Sequence, residues 1–423
     1  MPRKAAAKVP AHKARITELV MKAMQKKFGE ESISVSGGYG DITGYCDTGV
    51  LAINYAIGAG NAGGLPRGRM TVLQGDEQAG KTSTLTKFLA MCQKRGGQTV
   101  YIDAEYKFDR RYAARLGLYD DQTLPAAIAR GDATEDTLPL MIIYPEHIQL
   151  VFQQLDVLID AIRDEDPDVE VLIAWDSVAA TPSTAEFEAN YDNNQPGSPA
   201  RQMSQYLKKL CFKLARENVT LIAVNQEKEA IGFTGPGNKG SKVATIAQKP
   251  LAFHCTVRIT MKTYGFVAPV GVPKEDQKEE NAIGIKIAAK VAKNQCGPKG
   301  RIARFNLITV GKTLGPDNDK WILDFALDAK PAIVIKVGAF CHLRGSDEKW
   351  YAKDFAKADD YDAVCKAVRK AMDDELSHRF EGFVLDETPT AVDAEDEGDE
   401  DTGPNAGSLT DAELEAFEKE LED

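Results

Sequence analysis

Residues 70–93 read MTVLQGDEQAGKTSTLTKFLAMCQ, and the eight residues in the middle decide the fold. Gly75-Asp76-Glu77-Gln78-Ala79-Gly80-Lys81-Thr82 fits the pattern G-x4-G-K-[ST], with an apolar strand over 70–74 before it and a helix over 81–93 after it. A strand before and a helix after are the context this motif requires. Backbone N–H groups of such a loop converge on phosphate oxygens, and the helix N-terminus adds the positive end of its dipole. The spacing places Lys81 to reach the β- and γ-phosphates and the Thr82 hydroxyl to ligate Mg2+, with Ser83 next in the first helical turn. The expectation is a nucleotide-binding α/β protein.

Working outward, strand-like runs at 99–104, 140–144, 169–175 and 220–224 alternate with helical patterns at 147–162 and 203–215. Such alternation predicts a mainly parallel sheet covered on both faces. Runs at 253–261, 283–289 and 302–308 leave no room for crossover helices, so they predict an antiparallel extension. Four segments are expected. Residues 1–49 hold an arm, an amphipathic helix over 12–28 and short extended pieces; 50–315 form the core. Residues 316–385 form a small α+β lobe with helical stretches near 352–357 and 361–376, and 386–423 form a tail that is disordered by composition. Within that tail, Leu414, Phe417 and Leu421 line one side of an acidic helical pattern.

Two carboxylates stand where ligands of open α/β sheets gather, at the carboxyl ends of strands. Asp176 closes the apolar run Val171-Leu172-Ile173-Ala174-Trp175 and is placed to hold Mg2+ through water. Glu105 follows the run at 100–104 and shares a face with Tyr101 and Asp103. It suits the activation of an attacking water, and from spacing alone it reads equally well as a helix cap or surface acid.

The 423 residues are 43% hydrophobic and 27% charged, enough apolar material for a sizeable core and too much for a disordered or collagen-like chain. No run of 18 apolar residues occurs, so no membrane partner is expected, and the basic start MPRKAAAKVPAHK leads into no apolar stretch of the kind a secretory signal needs. Seven cysteines, widely spaced and never CxxC, read as free thiols of a reducing cytoplasm. The net charge of −12 conceals an asymmetry. Residues 386–423 hold 16 acids and one base, a net of −15, whereas residues 1–385 carry a net of +3 and residues 1–27 a net of +7. An acidic tail on a basic body is a charge pattern of polyanion binding or its control.

The ordered set of motifs resembles the RecA-type homologous recombinases. Lys27-Phe28-Gly29, Gly75–Thr82, Tyr101-Ile-Asp-Ala-Glu105, Asp176-Ser-Val-Ala-Ala180, Ala200-Arg201-Gln-Met-Ser204-Gln205, Val224-Asn225-Gln226, Val291-Ala-Lys293-Asn294 and Gly338-Ala-Phe340 stand in the family's order and spacing, from about residue 27 to 370. The resemblance implies a RecA-like P-loop ATPase core that hydrolyses ATP with Mg2+ and forms helical filaments on single-stranded DNA. Such filaments pair that strand with homologous duplex and exchange strands. It implies Glu105 as the water-activating carboxylate, Asp109 and Tyr112 at the adenine, Gln226 as the γ-phosphate sensor, and Lys293 as a lysine reaching ATP across the filament interface. It also implies Phe253 as a relay between subunits, residues 12–46 as the element that packs on a neighbouring core, and single-strand-binding and loader proteins as accessory partners. Gln295 stands where the family usually has a second trans lysine, and Gln248-Lys249 occupies the stretch where a glycine pair is expected. With the long tail, these departures set the expectation of a bacteriophage-encoded member acting in a bacterial or phage-infected cytoplasm. A ring helicase and a nucleotide-gated structural filament are the alternatives on the same core.

Two loops leave neighbouring strands of the expected sheet. Residues 186–201 contain Asn193-Asn-Gln-Pro-Gly-Ser-Pro199, and residues 227–249 contain four glycines with Lys228, Lys239, Lys242 and Lys249. Both read as solvated connections, yet loops of this length are usually functional or disordered. The resemblance implies that they bind DNA, with Arg201, Ser204, Lys208 and Lys228 on the phosphate backbone and Lys239 and Lys242 adding charge. A flexible anionic tail competes for the same lysines, an effect that salt screens. Deleting 386–423 is therefore expected to strengthen DNA binding, duplex most of all, at low salt. A salt-series titration checks this, and equal duplex affinity in the truncated chain would point instead to a docking role for Leu414, Phe417 and Leu421.

Overall fold

The computed structural model describes residues 11–28, 41–58, 63–188, 199–226, 228–229, 242–243, 248–269, 271–273 and 276–381. The first ten residues, Lys239, most of both expected DNA loops and the acidic tail lie outside the described residues. The expected N-terminal helix is Ala11–Phe28 (α1), with Lys22 and Glu18 paired at 2.9 Å one turn apart and with Val20, Met24 and Phe28 exposed.

Residues Ile42–Ser377 form one compact unit. Its frame is a nine-stranded sheet: Met70–Gly75 (β1), Gln98–Asp103 (β2), Met141–Ile143 (β3), Val171–Asp176 (β4), Val219–Gln226 (β5), Val257–Val267 (β6), Gly284–Asn294 (β7), Ile302–Ile308 (β8) and Gly315–Pro316 (β9). The spatial order is β9-β8-β7-β6-β1-β5-β4-β2-β3. From β6 to β3 every pairing is parallel, and from β6 to β9 every pairing is antiparallel. Both halves of the expected sheet are therefore present.

Strand periodicity divides the core. Leu172 and Ala174 of β4 join one buried cluster with Leu85, Phe88 and Leu89 of the helix Lys81–Lys94 (α2). Val171, Ile173 and Trp175 join the opposite cluster with Val151, Phe152, Leu155 and Ile159 of Ile148–Glu165 (α3). Leu207, Leu210 and Leu214 of Pro199–Arg216 (α4) complete that second face, on the i, i+3, i+7 rhythm of an amphipathic helix. Trp175 is fully buried and its indole N–H donates to Thr181 Oγ1 at 2.9 Å.

A third cluster lies within 316–385. Asn318–Asp328 (α6) and Tyr361–Glu381 (α7) pack around the three antiparallel strands Val334–Val337, Phe340–Leu343 and Trp350–Tyr351, with Trp350 buried and Trp321 partly so. The expected stretch near 352–357 is a short 3-10 helix, Ala352–Lys357. One expectation fails locally. The strand predicted from 253 begins only at Val257, and Phe253 and His254 end the helix Gln248–His254 (α5). An apolar run of that length fits helix or strand equally, and flanking contacts arbitrate. Here Lys293 Nζ donates to the carbonyls of Ala252 and Phe253, at 3.1 and 2.9 Å, and satisfies the helix end.

The register brings the carboxyl ends of β1, β2, β4 and β5 within about two residues of one another. Gly75 lies between Gln226 on one side and Met261 on the other, and Asp103 lies beside Asp176. Gly75 has φ +148°, and a Cβ there would stand 2.1 Å from the carbonyl oxygen of Met261, a backbone atom that cannot swing aside. Gly75→Ala is therefore expected to lower stability by about 2–3 kcal/mol through strain and overpacking. Denaturant unfolding checks this, and an unchanged midpoint would contradict the approach of β6 to the loop.

Candidate nucleotide site

The loop between β1 and α2 opens a cleft of about 470 Å³ lined by Glu77, Gln78, Gly80, Lys81, Thr82, Ser83, Glu105, Lys107, Asp176 and Gln226, with Ile285, Leu307 and Thr309 as the opposite wall. The fold thus gathers most of the predicted nucleotide residues from four strand ends. Lys81 is buried, and its ammonium donates to the carbonyls of Gly75 and Asp76 at 2.9 and 2.6 Å. Burial pulls its pKa down, and the nearby carboxylates, Asp176 first, oppose that. Ala79 is buried under the loop, and the Asp76 carbonyl also accepts from its N–H at 3.4 Å.

Asp176 is the pivot of the polar network. Its Oδ2 accepts from Thr82 Oγ1 at 2.8 Å and from the Tyr101 hydroxyl at 2.9 Å. Burial raises the pKa of Asp176, and these two hydrogen bonds work against the rise. The phenol of Tyr101, itself buried, is pushed up in turn, so it stays a donor. Thr82 and Asp176 are the two residues expected at a metal, and the pair of oxygen groups is in contact.

Glu105 sits just beyond β2. Its Oε1 accepts from Ser177 Oγ at 2.7 Å and Gln226 Nε2 at 2.9 Å, and its Oε2 accepts from Lys107 Nζ at 3.1 Å. Burial alone would raise its pKa, but the Ser177 and Lys107 hydrogen bonds and the charges of Lys107 and Lys81 outweigh it and hold the carboxyl below the ordinary range. Glu105 is therefore a carboxylate at neutral pH, in contact with the side chain of Gln226 at the end of β5.

Other predicted residues fall elsewhere. Tyr112 borders the cleft through a hydrogen bond from its hydroxyl to Ser83 Oγ at 2.9 Å. Asp109 caps the short helix Arg110–Arg115, accepting from the N–H groups of Arg111 and Tyr112. Lys293 is not in the cleft; it holds the end of α5. Ser204 and Lys208 lie on the outer face of α4, Ser204 half-buried and Lys208 exposed, and Arg201 is in its first turn. Lys228 and Lys242 stand on two short antiparallel strands that pair Lys228 with Val243 and Glu229 with Lys242. Sequence reasoning missed Ser177 and Lys107 as partners of Glu105. Ser177 had a signal, since it follows a strand-ending Asp176; Lys107 had none, because a lysine two residues past a strand is ordinary.

Residues 15–313 match the family model described as the RecA N-terminal domain. The chain is 30% identical over 383 residues to Protein RecA of Nautilia profundicola, covering 89% of this chain and 97% of that protein. It is 32% identical over 308 residues to Protein RecA of Thermus thermophilus, covering 73% and 79%. Among solved structures, the crystal structure of the RadB recombinase is similar with a TM-score of 0.39 and 19% identity, covering 62% of this chain and 96% of that one.

The Glu105 environment yields a pH test. A base works only when ionised, so if Glu105 is the base, as expected from the sequence, the acidic limb of nucleotide turnover would follow its pKa. Ser177→Ala removes a donor that lowers it, and the limb is expected to move to higher pH. The pH–rate profile checks this, and a limb that stays in place would mean that another group titrates.

Proposed function

The chain belongs to the RecA family, and we propose that it is an ATP-fuelled homologous recombinase whose nucleotide cleft governs its grip on single-stranded DNA. As a family member it is a DNA-dependent ATPase that binds DNA and assembles with copies of itself. Glu105 takes a proton from water as the water oxygen bonds to the γ-phosphorus; the bond to the β-phosphate oxygen breaks and its electron pair leaves on ADP. Lys81 and the loop amides hold the phosphates, while Tyr112 and Asp109 flank the adenine and Lys293 serves a neighbouring subunit's ATP. The hydroxyl of Thr82 and carboxylate of Asp176 are hard oxygen donors 2.8 Å apart, a set that suits Mg2+. When bound there, the ion supplies charge that offsets the phosphates.

The observation that carries the reading is the Gln226–Glu105 hydrogen bond at 2.9 Å. Gln226 ends β5, and the lysine-bearing segment 227–249 starts at the next residue. A γ-phosphate that draws the amide of Gln226 therefore acts at once on the group that activates water and on the first residues of that segment. Order gained with ATP and lost on hydrolysis is a nucleotide-driven switch. Arg201, Ser204, Lys208, Lys228, Lys239 and Lys242 supply the contacts to the DNA backbone.

The division into 1–49 (oligomerisation), 50–315 (core), 316–385 (lobe) and 386–423 (regulatory tail) is supported by the separate hydrophobic cluster of the lobe and by the charge of the tail. A reducing cytoplasm, bacterial or of a phage-infected cell, agrees with seven unpaired cysteines, of which Cys46 is pushed up to about 12 by burial. Among the described residues no helix is long and apolar enough to cross a membrane. Single-strand-binding and loader proteins are the accessory partners this activity would use.

ATP turnover with and without single-stranded DNA, followed by strand exchange between homologous molecules, tests the reading. DNA-stimulated turnover without exchange would indicate a helicase, and turnover indifferent to DNA would indicate a structural filament. Gln226→Ala is expected to weaken ATP-dependent DNA binding by about tenfold or more while ATP binding changes little. Undiminished strand exchange in that variant would refute the coupling.

A further inference from the structure

The turn after β2 is anchored more firmly than its exposed position requires. Asp103, 2% exposed, accepts from the backbone N–H groups of Lys107 at 3.2 Å and Phe108 at 3.0 Å. Tyr106 takes φ +56°, uncommon for a residue with a Cβ; its hydroxyl donates to the Pro145 carbonyl, and its ring stacks on Tyr144 at 5.9 Å and 6°. These contacts fix the backbone at Lys107 and leave the side chain, 77% exposed, over the cleft.

The charge lining the cleft gives this position a meaning. Three carboxylates, Glu77, Glu105 and Asp176, face two ammonium groups, Lys81 and Lys107. Lys81 is buried and bonded to the carbonyls of its own loop. Lys107, which also lines the cleft, is held there by its 3.1 Å pair with Glu105 Oε2. An exposed ion pair is weak, and an ammonium on a flexible stem leaves it readily for a more highly charged anion. The other carboxylate oxygen, Oε1, already accepts from Ser177 and Gln226.

We infer that Lys107 is a second cation for the terminal phosphate of a nucleoside triphosphate, held on Glu105 until the nucleotide arrives and then transferred to it. The inference rests on the nucleotide reading of the cleft given above. The transfer does two things in one movement. It brings positive charge to the phosphate on which negative charge is concentrated, and it frees Oε2 of Glu105 for the attacking water. A diphosphate lacks that terminal group and leaves Lys107 on Glu105. Lys107 is thus a device for telling triphosphate from diphosphate, supplied by the turn after β2 rather than by the glycine-rich loop.

The test is an equilibrium titration of the full chain, without DNA and with Mg2+, using ADP and a slowly hydrolysed ATP analogue. Lys107→Met is expected to weaken binding of the analogue about tenfold while ADP affinity changes less than about twofold, and Lys107→Arg to restore the preference. In turnover, Lys107→Met raises KM and lowers kcat together. An unchanged ratio of the two affinities in Lys107→Met would overturn the inference, and so would a parallel loss of both, which is what a purely structural role produces. Wild-type protein that binds neither nucleotide would instead overturn the reading of the cleft itself.

Discussion

Strands packed on both faces can present polar side chains only where they end. In this chain β1, β2, β4 and β5 are buried along nearly all their length, and their register brings their ends within about two residues of one another. The site depends on that alignment. Asp176 is buried at a depth where a carboxylate is poorly solvated, and it is accommodated because Thr82 and Tyr101 both donate to the same oxygen. Those donors come from α2 and β2, so the bonds also hold three elements in one arrangement. A register slip of one residue would turn Tyr101 to the other face and leave Asp176 with one donor fewer.

The polar groups of the cleft form a connected set rather than a collection. Glu105 shares one oxygen between Ser177 and Gln226 and gives the other to Lys107, so the carboxylate is bonded to β4's exit, β5's end and its own turn. Because each donor belongs to a different segment, a change at one oxygen is felt at three places.

The glycine-rich loop and its flanks were legible because local pattern and chemistry coincide there, and the sheet was legible because Val, Ile and Leu runs alternate with helical patterns. Asp176 and Glu105 were readable as strand-ending acids. What escaped depended on contacts between distant segments. The helix Leu51–Ile57 is buried on nearly every side and so shows no polar face, and its first residue follows Val50, which caps nothing. Helix α6 did carry a signal, since Asp317 accepts from Lys320 N–H, but the Gly-Pro before it masked the start. Phe253 was read as strand because the lysine that closes the helix is 40 residues downstream. The partnership of Lys107 with Glu105 is local, yet only the anchoring of the turn by Asp103 gives it direction.

The three tryptophans divide the molecule optically. Trp175 lies next to Asp176 in the chain, fully buried, with the ring of Phe152 edge-on at 5.7 Å. Trp321 and Trp350 both belong to the third cluster, Trp321 against Tyr55 and Phe325 and Trp350 against Phe355. Emission from a dry, rigid indole is blue, and emission from a partly wetted one is red. The red edge therefore reports on the neighbourhood of Trp321, while the blue edge combines Trp175, on the strand that carries the site's central carboxylate, with the buried Trp350 of the third cluster. Wetting around Trp321, at the edge of the lobe, is thus the event that the red edge of one unlabelled chain's fluorescence singles out.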